Sequence, residues 1–328
     1  MSILITGGLG VIGSMVAREL VESGETPVLF DLPGAETTLI KDIESKVTVH
    51  RGSILSHDDL GEAVSRYGTT HIIHMAALID PTGYNIAGSV EVNVLGTMRV
   101  FETARLNPQI RRVVFCSTKG VYRDVEGPYA HPEYQRVDEN YGQIHSTDHK
   151  NIYDSSKLFG EHMMMEYVNR YHMDIIATRF GTIFGPGKTA HHGHHSLVCQ
   201  LIENPVLGKP FVLEKGGDQK NDFVYNRDVA NGLILAVKAE KVSNRFFNIG
   251  SGVGMSFKEI GEIMKRKFPH AEIEIGDGLD YYDIGRKPYY VFDIERAQRE
   301  LGYQPKFSME EAIDDYLATM EKLDSFSA

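Results

Sequence analysis

The chain has 328 residues, of which 42% are hydrophobic and 24% are charged. This mixture is typical of a globular protein with a substantial core, and it excludes fibrous and disordered proteins. The net charge of -11, without any basic run, argues against nucleic acid or an anionic membrane as a partner and favours a small molecule.

The N-terminal residues enter a glycine loop at once, which leaves no room for a signal peptide. No stretch of the sequence is long and apolar enough to cross a bilayer. Cys116 and Cys199 are the only cysteines, too few for a disulfide framework, and Cys116 lies in an apolar run typical of a buried thiol. We therefore expect a cytoplasmic protein.

Short apolar runs alternate with amphipathic stretches through the first 180 residues. They predict strands at 2–6, 27–31, 47–50, 71–76, 111–117 and 173–180, and helices at 14–23, 58–67, 89–106 and 153–171. This alternation indicates an α/β fold, a Rossmann-type doubly wound parallel sheet.

The sequence beyond residue 180 changes to Gly, Pro and His, which indicates loops that shape a pocket. A helix at 226–239 and a strand at 245–249 return to the sheet pattern, and capping boxes at Ser256 and Ser308 begin two further helices. We predict a cofactor-binding domain over 1–180 plus 225–251, and a smaller substrate-binding lobe over 181–224 plus 252–328.

Glycines cluster between the first strand and the first helix. Gly8, Gly10 and Gly13 fit G-x-G-x-x-G, and Gly7, Gly10 and Gly13 fit G-x-x-G-x-x-G. Either spacing brings bare backbone to a pyrophosphate at a helix N-terminus. A tight turn uses the same residues, but the preceding strand and the following helix favour a dinucleotide.

Asp31 ends the second predicted strand, 18 residues after Gly13. A carboxylate at this position can accept hydrogen bonds from the adenosine ribose and repel the extra phosphate of NADP, so it indicates NAD. The alternative is an aspartate that only opens the turn at Leu32-Pro33-Gly34.

Tyr153 and Lys157 are four residues apart on a predicted helix and therefore share one face. A tyrosine has an ordinary pKa of about 10 and is a poor base near neutrality. A neighbouring ammonium and a positive nicotinamide ring would favour its phenolate. The pair is thus a candidate general base and its partner.

Further motifs follow in order along nearly the whole chain. They are His74-Met75-Ala76-Ala77, Asn93-Val94-Leu95-Gly96-Thr97, Ser117-Thr118-Lys119-Gly120-Val121-Tyr122, Tyr153-Asp154-Ser155-Ser156-Lys157, Phe184-Gly185-Pro186-Gly187, Asp222-Phe223-Val224, Asp228-Val229-Ala230 and Asn248-Ile249-Gly250-Ser251-Gly252. With the glycine loop, they make the chain resemble an extended short-chain dehydrogenase/reductase of the NAD-dependent epimerase/dehydratase family.

The resemblance implies catalytic roles for three residues. Tyr153 would remove a proton from the reacting hydroxyl, Thr118 would hydrogen-bond that hydroxyl, and Lys157 would bind the nicotinamide ribose and tune Tyr153. A threonine that only satisfies loop backbone is the alternative for Thr118. It further implies substrate contacts for Ser117, Thr118, Lys119 and Arg286, and NAD contacts for Gly7, Gly10, Val11, Ile12, Asp31, Ser53, Ile54, Met75, Ala76, Ala77, Asn93, Tyr153 and Lys157.

Two departures from the family pattern bear on the substrate. Members that act on nucleotide sugars commonly have Asn at the position of Gly181 and Arg at the position of Asn221, both near the diphosphate. The loss of a charge-assisted phosphate contact favours a substrate without a nucleotide. Lys119 and Gly120 replace the acidic pair of the dehydratases, which disfavours sugar dehydration. Arg286 stays a candidate anion contact, or an ordinary surface arginine.

The histidines between His191 and His195 have no patterned carboxylate or cysteine partner, so we predict no metal site. The leading function is NAD-dependent interconversion of a secondary alcohol and a ketone on a small, polar, sugar-derived molecule. The alternatives are a nucleotide-sugar epimerase with tightly bound NAD and a non-catalytic NAD sensor. The resemblance implies a homodimer formed through helices 89–106 and 153–171.

Overall fold

The computed structural model describes residues 1–79, 84–146, 148, 151–189 and 196–323. The strands are β1 (Ile3–Thr6), β2 (Val28–Asp31), β3 (Thr48–Arg51), β4 (His71–His74), β5 (Arg112–Cys116), β6 (Ile175–Phe180), β7 (Thr182–Phe184), β8 (Phe211–Leu213), β9 (Lys220–Tyr225), β10 (Phe246–Ile249), β11 (Gly254–Ser256) and β12 (Ile273–Ile275). The helices are α1 (Val11–Glu22), α2 (His57–Tyr67), α3 (Ile86–Ser89), α4 (Thr97–Leu106), α5 (Ile152–Tyr171), α6 (Leu197–Val206), α7 (Asn226–Lys238), α8 (Phe257–Lys267), α9 (Glu295–Leu301) and α10 (Met309–Lys322).

The central sheet has seven strands in the order β3-β2-β1-β4-β5-β6-β10, and every pairing is parallel. Leu4 at its centre lies opposite Val28 on one side and Ile72 on the other. Helices cover both faces, so the inner strands are buried throughout, and this explains why their sequences form apolar runs rather than alternating patterns. The Rossmann-type fold predicted from the sequence is confirmed.

The strand order reverses between β1 and β4. In an open parallel sheet this reversal creates a crevice at the carboxyl ends of the strands, where ligands bind. Three of the loops that line the crevice here follow β1, β4 and β5, and they carry the glycine loop, Met75-Ala76-Ala77 and Thr118. The fold thus brings together motifs that lie far apart in the sequence.

The helix predicted over 89–106 is longer and less regular than expected. A π-helical stretch, Val90–Gly96, joins α3 to α4. Such stretches are rare and often lie at functional sites. This one contains Asn93, whose side chain is buried.

A smaller group of elements follows the sixth strand. Strands β7, β9 and β11 form one sheet, and β8 pairs with β12. Their buried apolar side chains form a cluster separate from those of the central sheet and include contributions from α6, α8 and α10. Both predicted capping boxes are present, at Ser256 with Glu259 and at Ser308 with Glu311. The division into two lobes at the stated boundaries stays a prediction, which this second cluster supports.

Candidate active site

The glycine loop is shaped by contacts that exclude side chains. Gly7 has a φ of +70°, and a Cβ atom there would lie 2.8 Å from the Ala76 nitrogen. A Cβ atom at Gly13 would lie 2.3 Å from the Gly7 carbonyl oxygen. Gly10 precedes α1 and gives the helix no side-chain cap. The start of α1 therefore presents bare backbone at the crevice, which favours an anion such as a pyrophosphate.

A cavity of about 490 Å³ lies beside this loop, at the carboxyl ends of the first four strands. Its walls include the following predicted cofactor residues: Gly7, Gly10, Val11, Ile12, Asp31, Ser53, Ile54, Met75, Ala76 and Ala77. The Asp31 carboxylate accepts hydrogen bonds of 2.9 Å from the backbone nitrogens of Leu9 and Leu32. These bonds fix the carboxylate at the end of β2, where a ribose would be recognised.

The structure gives Asn93 a positioning role. Its amide accepts a hydrogen bond of 2.7 Å from the Leu78 nitrogen and donates one of 3.0 Å to the Leu78 carbonyl oxygen. It also donates to the Ser156 hydroxyl at 3.2 Å. Asn93 is not among the residues that line the cofactor cavity. It instead ties the segment after β4, which does line that cavity, to α5.

Thr118, Tyr153 and Lys157 line a second cavity, of about 340 Å³. Tyr153 and Lys157 lie in the first turns of α5, and Thr118 follows the end of β5. Residues Val11, Ile12 and Met75 line both cavities, so the second cavity adjoins the first. The predicted catalytic residues are therefore together, next to the predicted cofactor site.

Burial dominates the electrostatics of the Tyr153 and Lys157 pair. The Lys157 Nζ atom donates a hydrogen bond of 2.8 Å to the Cys116 carbonyl oxygen and lies 5.7 Å from the centre of the Tyr153 ring. Burial raises the pKa of Tyr153, to which the charges of Asp154 and Cys116 add, and it lowers the pKa of Lys157 to about 8. Lys157 alone therefore does not lower the pKa of Tyr153 against the effect of burial. The expected lowering also requires the positive charge of the nicotinamide ring.

The Thr118 side chain makes the contact with loop backbone that a purely structural threonine would make. Its Oγ1 atom accepts a hydrogen bond of 3.1 Å from the Gly120 nitrogen. Thr118 nevertheless lines the catalytic cavity, and its hydroxyl retains a proton to donate. The loop contact orients the hydroxyl without removing it from the site.

Ser117 also lines the catalytic cavity, but its hydroxyl points to a buried ion pair. Its Oγ atom donates a hydrogen bond of 2.6 Å to Glu161, which pairs with Arg179 at 2.6 Å. No motif in the sequence predicted this network, although Glu161 lies four residues after Lys157 on the same helical face.

Lys119, which also lines the catalytic cavity, is the centre of a polar cluster. The Lys119 Nζ atom donates hydrogen bonds to Thr182 Oγ1 at 2.7 Å, to the Pro288 carbonyl oxygen at 3.1 Å and to Asn221 Oδ1 at 3.3 Å. Asn221 in turn donates to Thr182 and to the Tyr281 hydroxyl, each at 2.7 Å. Thr182, Lys188 and Tyr282 also line the cavity and were not predicted from the sequence. The nearby signals were the departure at Gly181 and the Gly185-Pro186-Gly187 motif.

Two further residues have structural partners. Arg286 forms an ion pair of 2.9 Å with Asp124 and is not among the residues that line the catalytic cavity. Tyr122 is fully buried and donates a hydrogen bond of 2.7 Å to Asn248, so it is not placed to replace Tyr153 as a base. Substrate binding by Arg286 stays a prediction, and it would require the Asp124 pair to rearrange.

The residues present fit NAD. The loop around Gly7 is a cradle that any Cβ atom would fill, and Asp31 stands where an adenosine ribose would be recognised. Tyr153 and Lys157 would hold the nicotinamide ribose. NAD, when bound there, supplies a hydride acceptor beside the catalytic cavity.

Neither a metal site nor a membrane helix is found in the described part of the chain. No group of three His, Cys, Asp or Glu side chains within it could hold an ion. The cluster from His191 to His195 lies outside the described residues. No helix in the described ranges is both long and apolar enough to cross a membrane.

A Rossmann sheet with a glycine cradle and an adjoining Tyr and Lys pair defines an NAD-binding enzyme of the short-chain dehydrogenase/reductase type. The profile of the NAD dependent epimerase/dehydratase family matches residues 3–250, and the chain belongs to that family. The predicted family, the enzymatic character and NAD as the cofactor are confirmed at this level.

Relatives and solved structures agree with this assignment. A protein of Methanocaldococcus jannaschii named "Putative UDP-glucose 4-epimerase" is 29% identical over 322 residues, which cover 95% of each chain. UDP-glucuronic acid decarboxylase 6 of Arabidopsis thaliana is 26% identical over 95% of this chain and 87% of its own. UDP-glucose 4-epimerase from Thermus thermophilus, solved with NAD, superposes with a TM-score of 0.78 at 24% identity, covering 100% of this chain and 99% of its own.

Proposed function

We propose that this protein interconverts a secondary alcohol and a ketone on a small, polar, sugar-derived molecule, with NAD as a released cosubstrate. The observation that carries this proposal is the cavity that Thr118, Tyr153 and Lys157 share beside the cofactor loop. Steady production of NADH from NAD with a panel of sugars and sugar derivatives tests it. The absence of NADH formation across the panel would contradict it.

The proposed proton transfer uses three side chains. The Thr118 hydroxyl orients the reacting alcohol, and the Tyr153 phenolate accepts its proton. The Lys157 ammonium, with the positive nicotinamide ring, favours that phenolate against the effect of burial. Positioned proton transfer of this kind typically contributes about 100-fold to 10,000-fold in rate.

Gly181 and Asn221 support a substrate without a nucleotide diphosphate. A Cβ atom at Gly181 would lie 3.0 Å from the Asp222 carbonyl oxygen, so the backbone leaves little room for a side-chain donor there. Asn221 is fully buried and is held by hydrogen bonds to Thr182, which lines the cavity, and to Tyr281. Neither position supplies the contact to phosphate that the family pattern commonly has.

The second candidate is a nucleotide-sugar epimerase, which the names of the relatives favour. Such an enzyme keeps NAD bound and shows no net redox change. Thermal-shift measurements with UDP-, GDP- and dTDP-sugars separate the two functions, because a ligand specific to the native state raises its apparent stability. Saturable stabilisation by one of these sugars, without NADH release, would favour the epimerase.

We also propose a homodimer formed through helices 89–106 and 153–171, that is, the π-helical stretch with α4, and α5. Leu95 in that stretch, Met98 on α4 and Phe159 on α5 are 41%, 36% and 52% exposed, so both helices offer apolar side chains for such a contact. Light scattering should show a dimer for the wild type and a monomer for Phe159→Glu. Val212→Glu, a change at an exposed apolar residue of β8, should remain dimeric. The predicted cytoplasmic location stays a prediction.

A further inference from the structure

Lysine is the only residue type with an ordinarily charged side chain among the described lining residues of the catalytic cavity, and burial lowers the pKa of two of these lysines, Lys157 and Lys188. Three lysines line the cavity, Lys119, Lys157 and Lys188, while no aspartate or glutamate is among its described lining residues. The protein as a whole carries a net charge of -11. A group of lysines at the reacting centre of an otherwise negative protein attracts a negatively charged ligand to that centre.

Two of these lysines have evident roles. Lys157 belongs to the catalytic pair. The Nζ atom of Lys188 donates a hydrogen bond to the Ile183 carbonyl oxygen and closes the loop that it belongs to. Lys119, by contrast, has no part in the proton transfer proposed above.

Lys119 is held in a defined position. It directly follows Thr118, and its ammonium contacts the oxygens of Thr182, Pro288 and Asn221 at 2.7 to 3.3 Å. It also lies 5.7 Å from the centre of the Tyr290 ring. The three hydrogen bonds use all three N–H donors of the ammonium, so a ligand must replace one acceptor, and Asn221 is the most distant of them at 3.3 Å. The charge itself is already held in place and loses little conformational freedom when a ligand binds.

We propose that the substrate carries a carboxylate and that Lys119 binds it, so that the enzyme acts on a sugar acid rather than on a neutral sugar. The oxidation of that acid rests on the proposed function, whereas its binding does not. Because Lys119 follows Thr118, the carboxylate lies near the carbon that is oxidised.

The size of the cavity favours a carboxylate over the bulkier phosphate. The lysines act as point charges and do not by themselves distinguish the two anions, since arginine is the residue that binds either one through two parallel hydrogen bonds. No arginine is among the described lining residues of the cavity. Arg179 is paired with Glu161, and Arg286 is paired with Asp124. The cavity of about 340 Å³ is at the small end of ligand sites.

The test compares matched acids and neutral compounds. Gluconate and galacturonate are compared with sorbitol and galactose, and glucose 6-phosphate is added as a phosphorylated arm. Thermal stabilisation of the NAD-loaded protein measures binding, and NADH absorbance measures turnover. We expect stabilisation and NADH formation with at least one acid, and much weaker effects with the neutral compounds.

Variants test whether binding of the acid depends on the charge of Lys119. Lys119→Met should raise the KM for the preferred acid at least about 30-fold, as expected when one partner of a buried charged contact is lost. Lys119→Arg should recover part of that loss because it retains the charge. Lys287→Met, a change at an exposed lysine of the neighbouring segment, should leave the KM for the acid unchanged.

The outcomes separate the two proposals. Binding of acids that depends on Lys119, without NADH formation, supports the carboxylate site and contradicts the proposed oxidation. Equal or better binding of neutral or phosphorylated compounds overturns the carboxylate site, as does the absence of any stabilisation by acids. If Lys119→Met does not fold, loss of acid preference in Lys119→Gln supports the inference, and retention of that preference overturns it.

Discussion

The carboxylate of Glu161 accepts a hydrogen bond of 2.6 Å from the hydroxyl of Ser117, the residue directly before Thr118. It also pairs with Arg179, and the two charged side chains are only 1% and 2% exposed. Tyr153, Lys157 and Glu161 follow one another at intervals of four residues on α5. One face of this helix therefore carries the proposed base and positions the segment that holds Thr118.

Glu161→Gln should destabilise the protein and slow turnover. Removing one partner of a buried ion pair leaves the other charge uncompensated, which typically costs about 3 to 5 kcal/mol. Urea denaturation should show this loss. The kcat of the folded variant should also fall while its affinity for NAD stays unchanged, because Ser117, the residue before Thr118, exchanges a charged acceptor for a neutral amide oxygen.

A matched control lies on the same helix. Glu166 pairs with Arg170, and both side chains are more than half exposed. Exposed pairs contribute about 0 to 1 kcal/mol, so Glu166→Gln should leave stability and kcat nearly unchanged. Equal effects of the two substitutions would contradict the positioning role of Glu161.

Asp31→Ser should reduce the preference for NAD over NADP. The carboxylate is fixed by the backbone nitrogens of Leu9 and Leu32, where it would bind the ribose and repel a phosphate. Titration should show at least about a tenfold gain in relative affinity for NADP, which equals about 1.4 kcal/mol. Glu36→Ser, at an exposed acid shortly after Asp31, should keep the wild-type preference. A wild-type protein that binds NADP as well as NAD would exclude this role for Asp31.

His74 makes the stability of the fold sensitive to acid. The Thr97 hydroxyl donates to the Asn93 carbonyl oxygen at 2.6 Å, so it accepts from His74 Nε2, and Nδ1 is left to accept from Thr6 at 2.7 Å. Burial, with the charge of Lys157, lowers the pKa of His74 from 6.5 to about 3. The native state therefore requires the neutral ring.

The sign of the pH dependence follows from this lowered pKa. The contribution of His74 is fully present above pH 6.5, the unfolded value, and is lost as the pH falls toward 3. Each unit below 6.5 costs about 1.4 kcal/mol, so the free energy of unfolding should fall by about 2 kcal/mol between pH 7 and pH 5. His74→Gln should be less stable than the wild type at pH 7, but its free energy of unfolding should fall less between pH 7 and pH 5. An equal fall in the variant would exclude His74 as the source of the acid sensitivity.

The sequence was most informative where a short-range rule fixes the structure. The glycine spacing, the capping box at Ser256 and the spacing of Tyr153 and Lys157 each depend on residues within one turn or one helix. The parallel sheet also followed, because buried strands form continuous apolar runs. From these features alone, the cofactor loop and the catalytic pair are expected to lie at the same crevice of the sheet.

The contacts that the sequence did not predict join distant segments. Asn93 clamps Leu78 from within a π-helical stretch that no spacing rule indicated, and its contact with the cofactor stays a prediction. Lys119 follows the end of β5, and it meets Thr182 at the start of β7 and Asn221 near the start of β9. Such contacts depend on tertiary packing, which local sequence patterns do not encode.

The most direct test of the central claim is the activity of Tyr153→Phe on a substrate that the wild type oxidises. This change removes the phenolic hydroxyl and keeps the ring against Lys157. We expect the rate of NADH formation to fall at least about 100-fold, as is typical when a general base is lost. The affinity for NAD should stay nearly that of the wild type. A variant that binds NAD and retains most of its rate would show that Tyr153 is not the base.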